Sequence, residues 1–134
     1  MATAPQFAST INNGAALLTT AETNLQVPTT TSVIITAGAS GTKVEEIVVE
    51  AAGAGTTTTT VAGEVYIFLY DGATYHLFDV IAVTAVSGTT TVAPFRASNR
   101  YANLWLKSGW SLRASQSIAG NASLLKCHAF GADL

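Results

Sequence analysis

Two apolar runs, Glu64–Tyr70 (EVYIFLY) and Thr74–Val83 (TYHLFDVIAV), flank the short turn Asp71-Gly72-Ala73. An Asp-Gly pair between alternating apolar runs is the strongest local indication of a β-hairpin, because a tight turn needs residues that accept positive φ. The two runs are therefore expected to pair as antiparallel strands. The same texture extends in both directions: β-branched and aromatic residues cluster in short runs cut by Gly, Asn, Ser or Thr, and no heptad or long helical stripe interrupts them.

Ser32–Ala37 (SVIITA) and Lys43–Ala51 (KVEEIVVEA) read as strands joined across Gly38-Ala39-Ser40-Gly41, and are expected to form a second hairpin. Tyr101–Leu106, Trp110–Ser115 and Ser123–Phe130 read as later strands, with turns at Lys107–Gly109 and Ile118–Asn121. Within Trp110–Ser115 the alternation places Trp110, Leu112 and Ala114 on a core face and Ser111, Arg113 and Ser115 on a wet one. Ala15–Thr19 and Asn24–Val27 are weaker strands ended by Pro28, which cannot donate to a ladder. About eight strands result, and the expected fold is all-β: a single-domain antiparallel β-sandwich, jelly-roll-like. Residues 1–14 precede the first convincing strand and read either as a frayed terminus or as an N-terminal arm that lies on a neighbouring subunit with Phe7 and Ile11 as apolar anchors; 15–134 are expected to form the sandwich. Gly53–Thr60 (GAGTTTTT) has no apolar anchor and reads as a mobile hairpin tip.

Composition bounds the function. Of 134 residues 49% are hydrophobic and only 10% charged, where an ordinary soluble domain carries about 25% charged residues. Thr, Ala, Ser and Gly fill the difference, in runs such as Thr29–Thr31, Thr56–Thr60 and Thr89–Thr91. A neutral surface of short side chains is cheap to desolvate against another protein. The formal net charge of -2, with basic residues scattered singly, offers no stripe for a phosphate backbone, so no nucleic-acid partner is expected. No apolar stretch approaches the roughly 18 to 20 residues of a membrane span, and Met1–Pro5 lacks signal-peptide features, so no membrane partner is expected and synthesis is placed in a cytoplasm. A lone cysteine, Cys127, allows no internal disulfide and reads as a small core residue.

No constellation for chemistry emerges. Glu45, Glu46 and Glu50 share one strand and alternate faces with the pleat, so they read as solvation of an exposed strand that discourages edge pairing. Asp79, amid Leu77, Phe78, Val80 and Ile81, reads either as a buried carboxylate with a perturbed pKa or, as is more usual, as an outward residue or a bulge marker. Cys127 and His128 are adjacent and face opposite ways on a strand, so with His76 they do not form a metal site. No Gly-x-Ser-x-Gly elbow or phosphate cradle is present. The expectation is therefore no catalytic residue, no metal and no cofactor; an enzyme would have only Asp79 with His76 to work with. Trp105 and Trp110 flank the Lys107–Gly109 turn, one expected in the core and the other exposed.

The C-terminal half resembles a known class. Val80–Val83, Asn103–Ser115 and Ala122–Ala129 look like the small β-rich virion proteins encoded among the head genes of tailed bacteriophages, in which a strand precedes a motif opening Leu-x-x-Gly-Asp-x-Leu and a short turn precedes a final strand. Here the motif reads Leu106-Lys107-Ser108-Gly109-Trp110-Ser111-Leu112, with Trp110 in place of the usual Asp. The resemblance covers roughly the last 55 residues and part of the central hairpin. It implies a capsid decoration or cement protein, bound to the major capsid protein on the virion surface and stabilising the assembled head, with a homo-oligomer, a trimer by preference, as its working state. Phe7, Ile11 and Trp110 are then the candidate partner-binding residues. The alternative is a tail, neck or head-fibre component with a host-surface or carbohydrate-binding role, presenting Trp105, Tyr101 and Tyr75.

Overall fold

The computed structural model describes residues 8–53, 55 and 58–134. Ten strands follow in chain order: β1 (Thr10–Leu18), β2 (Ser32–Thr36), β3 (Thr42–Ala51), β4 (Thr58–Thr60), β5 (Gly63–Tyr70), β6 (Tyr75–Val83), β7 (Val86–Gly88), β8 (Arg96–Leu106), β9 (Ser111–Gln116) and β10 (Leu125–Asp133). Two four-stranded antiparallel sheets, ordered β1-β10-β3-β8 and β2-β9-β5-β6, form the sandwich, and β4 pairs with β7 in a small ribbon. Among these eight sandwich strands the chain changes sheet at every connection except the β5–β6 hairpin. This is the jelly-roll arrangement.

The Asp71–Ala73 hairpin forms as the sequence predicts: β5 pairs with β6 from Gly63–Val83 to Tyr70–Tyr75, and Gly72 takes the positive φ of 99°. The expected β2–β3 hairpin does not form. β2 pairs with β9, whereas β3 lies between β10 and β8 in the other sheet. Both strands carry an apolar face, and facing each other across the core buries both, whereas pairing edge to edge would leave one sheet side uncovered. The Gly38–Gly41 turn, with Gly41 at a φ of 96°, carries the chain between sheets.

β3 is thus an interior strand, not an exposed one, and Glu45 sits in a bulge. On β10 the partners step from Phe130–Glu46 to Gly131–Val44, and on β8 from Leu104–Val44 to Arg100–Glu46, so Glu45 has no partner on either side. The extra residue resets the phase: Thr42 and Val44 point inward before it, Ile47, Val49 and Ala51 after it. Those residues meet Ile35, Val65, Ile67, Leu112 and Ala114 of the second sheet, along with Cys127 and Ala129 of β10, in one core closed to solvent. Each fully buried Val, Leu or Ile contributes about 1.5–3 kcal/mol.

Other expectations shift. β1 begins at Thr10, inside the residues assigned to the arm, and pairs with β10 along its whole length. Asn24–Val27 is a turn, because the Asn24 Oδ1 accepts the N–H groups of Gln26 and Val27, both at 3.0 Å. Part of Gly53–Thr60 lies outside the described residues, but Thr58–Thr60 forms β4 with β7 as its partner. The wet face of β9 is covered: Ser111 and Ser115 are buried, Ser115 beneath Thr30, whose hydroxyl is 3.2 Å from its own.

On the β1–β2 side the sheets close so tightly that a Cβ on Gly14 would fall into the backbone carbonyl of Ile34. Gly14→Val is therefore expected to destabilise the fold by about 1–3 kcal/mol or more, measured as a lower denaturant midpoint with an unchanged m-value.

Candidate functional site

β5 alternates Val65, Ile67 and Leu69 toward the core with Tyr66, Phe68 and Tyr70 away from it. Both faces are apolar, so both need cover. On the outer face the register sets Tyr66 beside Ser115, Phe68 beside Arg113 and Tyr70 beside Ser111, with Tyr75, Leu77 and Val80 of β6 on the other flank. Phe68 is fully buried although it points outward. Tyr75 and Tyr66 pack edge-on against it, with ring centroids 6.0 and 6.4 Å away. The Arg113 guanidinium lies 4.2 Å above the Tyr70 ring and 5.8 Å from that of Tyr75, a cation–π arrangement that holds it flat. Its hydrogen bonds go to Ser111 Oγ at 3.4 Å and the Tyr75 hydroxyl at 3.3 Å. Thr31 also donates to that hydroxyl, at 3.3 Å. The strand pattern of β5 was legible in sequence, but not that three strands would combine Tyr66, Tyr70, Tyr75 and Arg113 into one plateau.

The outer face of the first sheet is more mixed. Cross-strand pairs put Glu46 against Arg100 at 3.3 Å and His128 against Glu50 at 2.9 Å, with the His128 ring parallel to that of Phe130. Lys43 pairs with Glu45 at 2.9 Å and lies 5.3 Å over the Trp105 ring. Trp105 is 53% exposed and Ile11 79%, with Phe130 and Leu17 also open to solvent.

The residues singled out in sequence fall on separate surfaces. Phe7 lies outside the described residues. Ile11 stands on the outer face of β1. Trp110 packs against the core and stacks on His76 at 6.4 Å. Trp105 is therefore the exposed tryptophan of the two. Asp79 and His76 are bound to different partners: His76 Nε2 lies 3.2 Å from Asp71, whereas Asp79 accepts hydrogen bonds from the Tyr101 hydroxyl at 2.6 Å and Asn99 at 3.0 Å. Asp79 does not point outward. A bulge at Phe78 in β6 turns it toward β8, where it ties the free edges of the two sheets together. Burial, together with this bond to Asp79, pushes the Tyr101 hydroxyl well above the usual tyrosine range.

Three carboxylates fasten loops. Glu22 is buried and accepts the N–H groups of Thr23, Asn24, Thr29 and Thr30; burial opposes its ionisation, but these donors outweigh it and hold the pKa below the usual value. Asp71 is lowered to about 2 by the N–H groups of Thr74 and Ala73 and by His76. Asp133 is lowered by the Thr42 hydroxyl at 2.6 Å and by Asn12 at 2.8 Å.

Among the described residues no pocket opens in the surface, and no three His, Cys, Asp or Glu side chains gather as for a metal. No helix is long and apolar enough to cross a membrane. Compared with protein-family models, curated proteins and solved structures, the chain matches none.

Two outcomes follow. Since Glu22, Asp71 and Asp133 have folded-state pKa values below their unfolded ones, the stability they contribute is present above about pH 4 and lost as pH falls toward 2. The melting temperature should hold near neutral pH and fall through that acid window, and Glu22→Gln should be less stable at pH 7 with a shallower acid decline. Burial pushes the Cys127 thiol up to about 12, so a thiol reagent should label Cys127 only after denaturation; prompt labelling of the native chain would contradict this.

Proposed function

We propose that this chain is a structural virion protein, a capsid decoration or cement protein that binds the assembled phage head through the major capsid protein and works as a homo-oligomer. The observation that carries this reading is a jelly-roll sandwich whose surface has few charges and isolated large apolar residues such as Ile11 and Phe130. The architecture recurs in viral shell proteins and lectins, and the likeness of the last strands to phage virion proteins favours the first. Surfaces of Thr, Ser and Ala dock without stranding charges. Ile11, with Phe7 before it, supplies an apolar anchor at the open edge of β1, and Trp110 a contact at the β8–β9 turn.

Stabilisation works by mass action: a copy that binds the assembled shell and not its parts favours the shell by about 2.7 kcal/mol per site at a free concentration one hundred times its Kd. No chemistry is required of the chain.

The test is co-sedimentation with undecorated heads of the parent phage and their disruption temperature with and without the protein. Bound protein and a raised disruption temperature are expected, and Ile11→Asp should weaken both. Failure to bind, or binding that leaves the heads as fragile as before, would overturn the reading. A host-surface role is favoured instead if Trp105, exposed beneath Lys43, proves necessary for binding to purified host glycans.

A further inference from the structure

Among the described residues, the strands of the second sheet carry one positive and one negative side chain on their outer face, and neither has an ionic partner there. Arg113 is half-buried on this face, and no carboxylate of the chain lies within ion-pair reach of it. The Tyr75 hydroxyl accepts from both Arg113 and Thr31, which leaves its own proton for a further acceptor. Glu64 is exposed on the same face, where β5 pairs it with Ala82. Glu22, Glu45, Glu46, Glu50, Asp71, Asp79 and Asp133 each hold a side-chain hydrogen bond or ion pair. Glu64 alone holds none among the described residues.

Glu64 and Arg113 cannot satisfy each other within one chain. Arg113 lies opposite Phe68, four residues along β5 from Glu64 and one strand over, a separation of roughly 14 Å. Between them lies Tyr66, with Ser115 buried beneath Thr30 of the same chain, and beside them Tyr75, Leu77 and Val80. The outward positions of β9, β5 and β6 are otherwise uncharged.

We propose that a second copy of this chain docks face to face on this sheet about a two-fold axis, so that Glu64 of each copy meets Arg113 and Tyr75 of the other. A two-fold contact is self-complementary: what one copy offers, the other must receive. The face meets this requirement, with one acid, one base and uncharged aromatic ground between them. Tyr and Arg are the residue types that carry most energy in such contacts. An acidic segment of an unrelated protein would answer Arg113 but leave Glu64 unanswered, whereas a second copy answers both. The pairing stands whether or not the chain decorates a capsid, and it differs from the three-fold assembly that the phage resemblance implies.

Sedimentation of the full chain over a concentration series tests it, using wild type, Glu64→Arg, Arg113→Glu and an equal mixture of the two variants, with circular dichroism to check folding. Wild type should run as a dimer. Each variant alone should self-associate about tenfold more weakly or worse, because both contacts then oppose like charges. The mixture should recover the dimer, since opposite charges face each other again at both contacts. A monomeric wild type, a trimer indifferent to both substitutions, or a mixture that associates no better than its components would overturn the proposal. Should Arg113→Glu not fold, Glu64→Arg decides alone: the Glu64 side chain is exposed and holds no hydrogen bond or ion pair among the described residues, and an undiminished dimer would refute the contact.

Discussion

Neither four-stranded sheet can bury its inner face without the other, and the rest of the molecule follows from that shared layer. Val44, Ile47 and Val49 on one side and Val65, Ile67 and Leu112 on the other are almost completely removed from water. Two sheets about 10 Å apart leave space for one interdigitated layer of side chains. The inward position of every strand must therefore be apolar, small or hydrogen-bonded. The Glu45 bulge is the adjustment that makes β3 conform: without it, Glu46 and Glu50 would alternate into the core in phase with Val44. The bulge instead places them on the outer surface beside Arg100 and His128.

The two open sides of the sandwich are closed by different physics. Where β1 meets β2, backbone approaches backbone and only a glycine fits. Where β6 faces β8, a carboxylate does the closing: Asp79 takes the Tyr101 hydroxyl and the Asn99 amide, and a partly buried carboxylate with two such donors is satisfied, not stranded. Loops are held in a similar way, by Glu22, Asp71 and Asp133 collecting N–H and O–H groups of the turns around them. Most of the small acidic complement is thus engaged in hydrogen bonds and ion pairs that fasten the fold.

Those surfaces are unlike one another. The first sheet shows paired charges interrupted by Ile11, Phe130 and Trp105. The second shows an aromatic plateau around one guanidinium. Both outer faces rest on a rigid antiparallel ladder, so their side chains are presented in fixed relative positions at little entropic cost, which favours recognition by a flat partner.

The all-β class, the Asp71–Ala73 hairpin, the number of sandwich strands and the lone buried Cys127 could be read from residues alone, because alternation and turn chemistry act over a few neighbouring positions. The partnership of β2 with β9 and of β3 with β10, the ribbon from Thr58–Thr60, and the cover that Thr30 places on Ser115 could not. Each depends on strands far apart in the chain competing to bury the same faces, and alternation is the same whichever partner wins. The plateau illustrates the limit most sharply. Tyr66 and Tyr70 announce themselves on β5, but Arg113 and Tyr75 become their neighbours only because β9 and β6 flank that strand at one register, which hydrogen bonding between distant segments sets and local sequence does not.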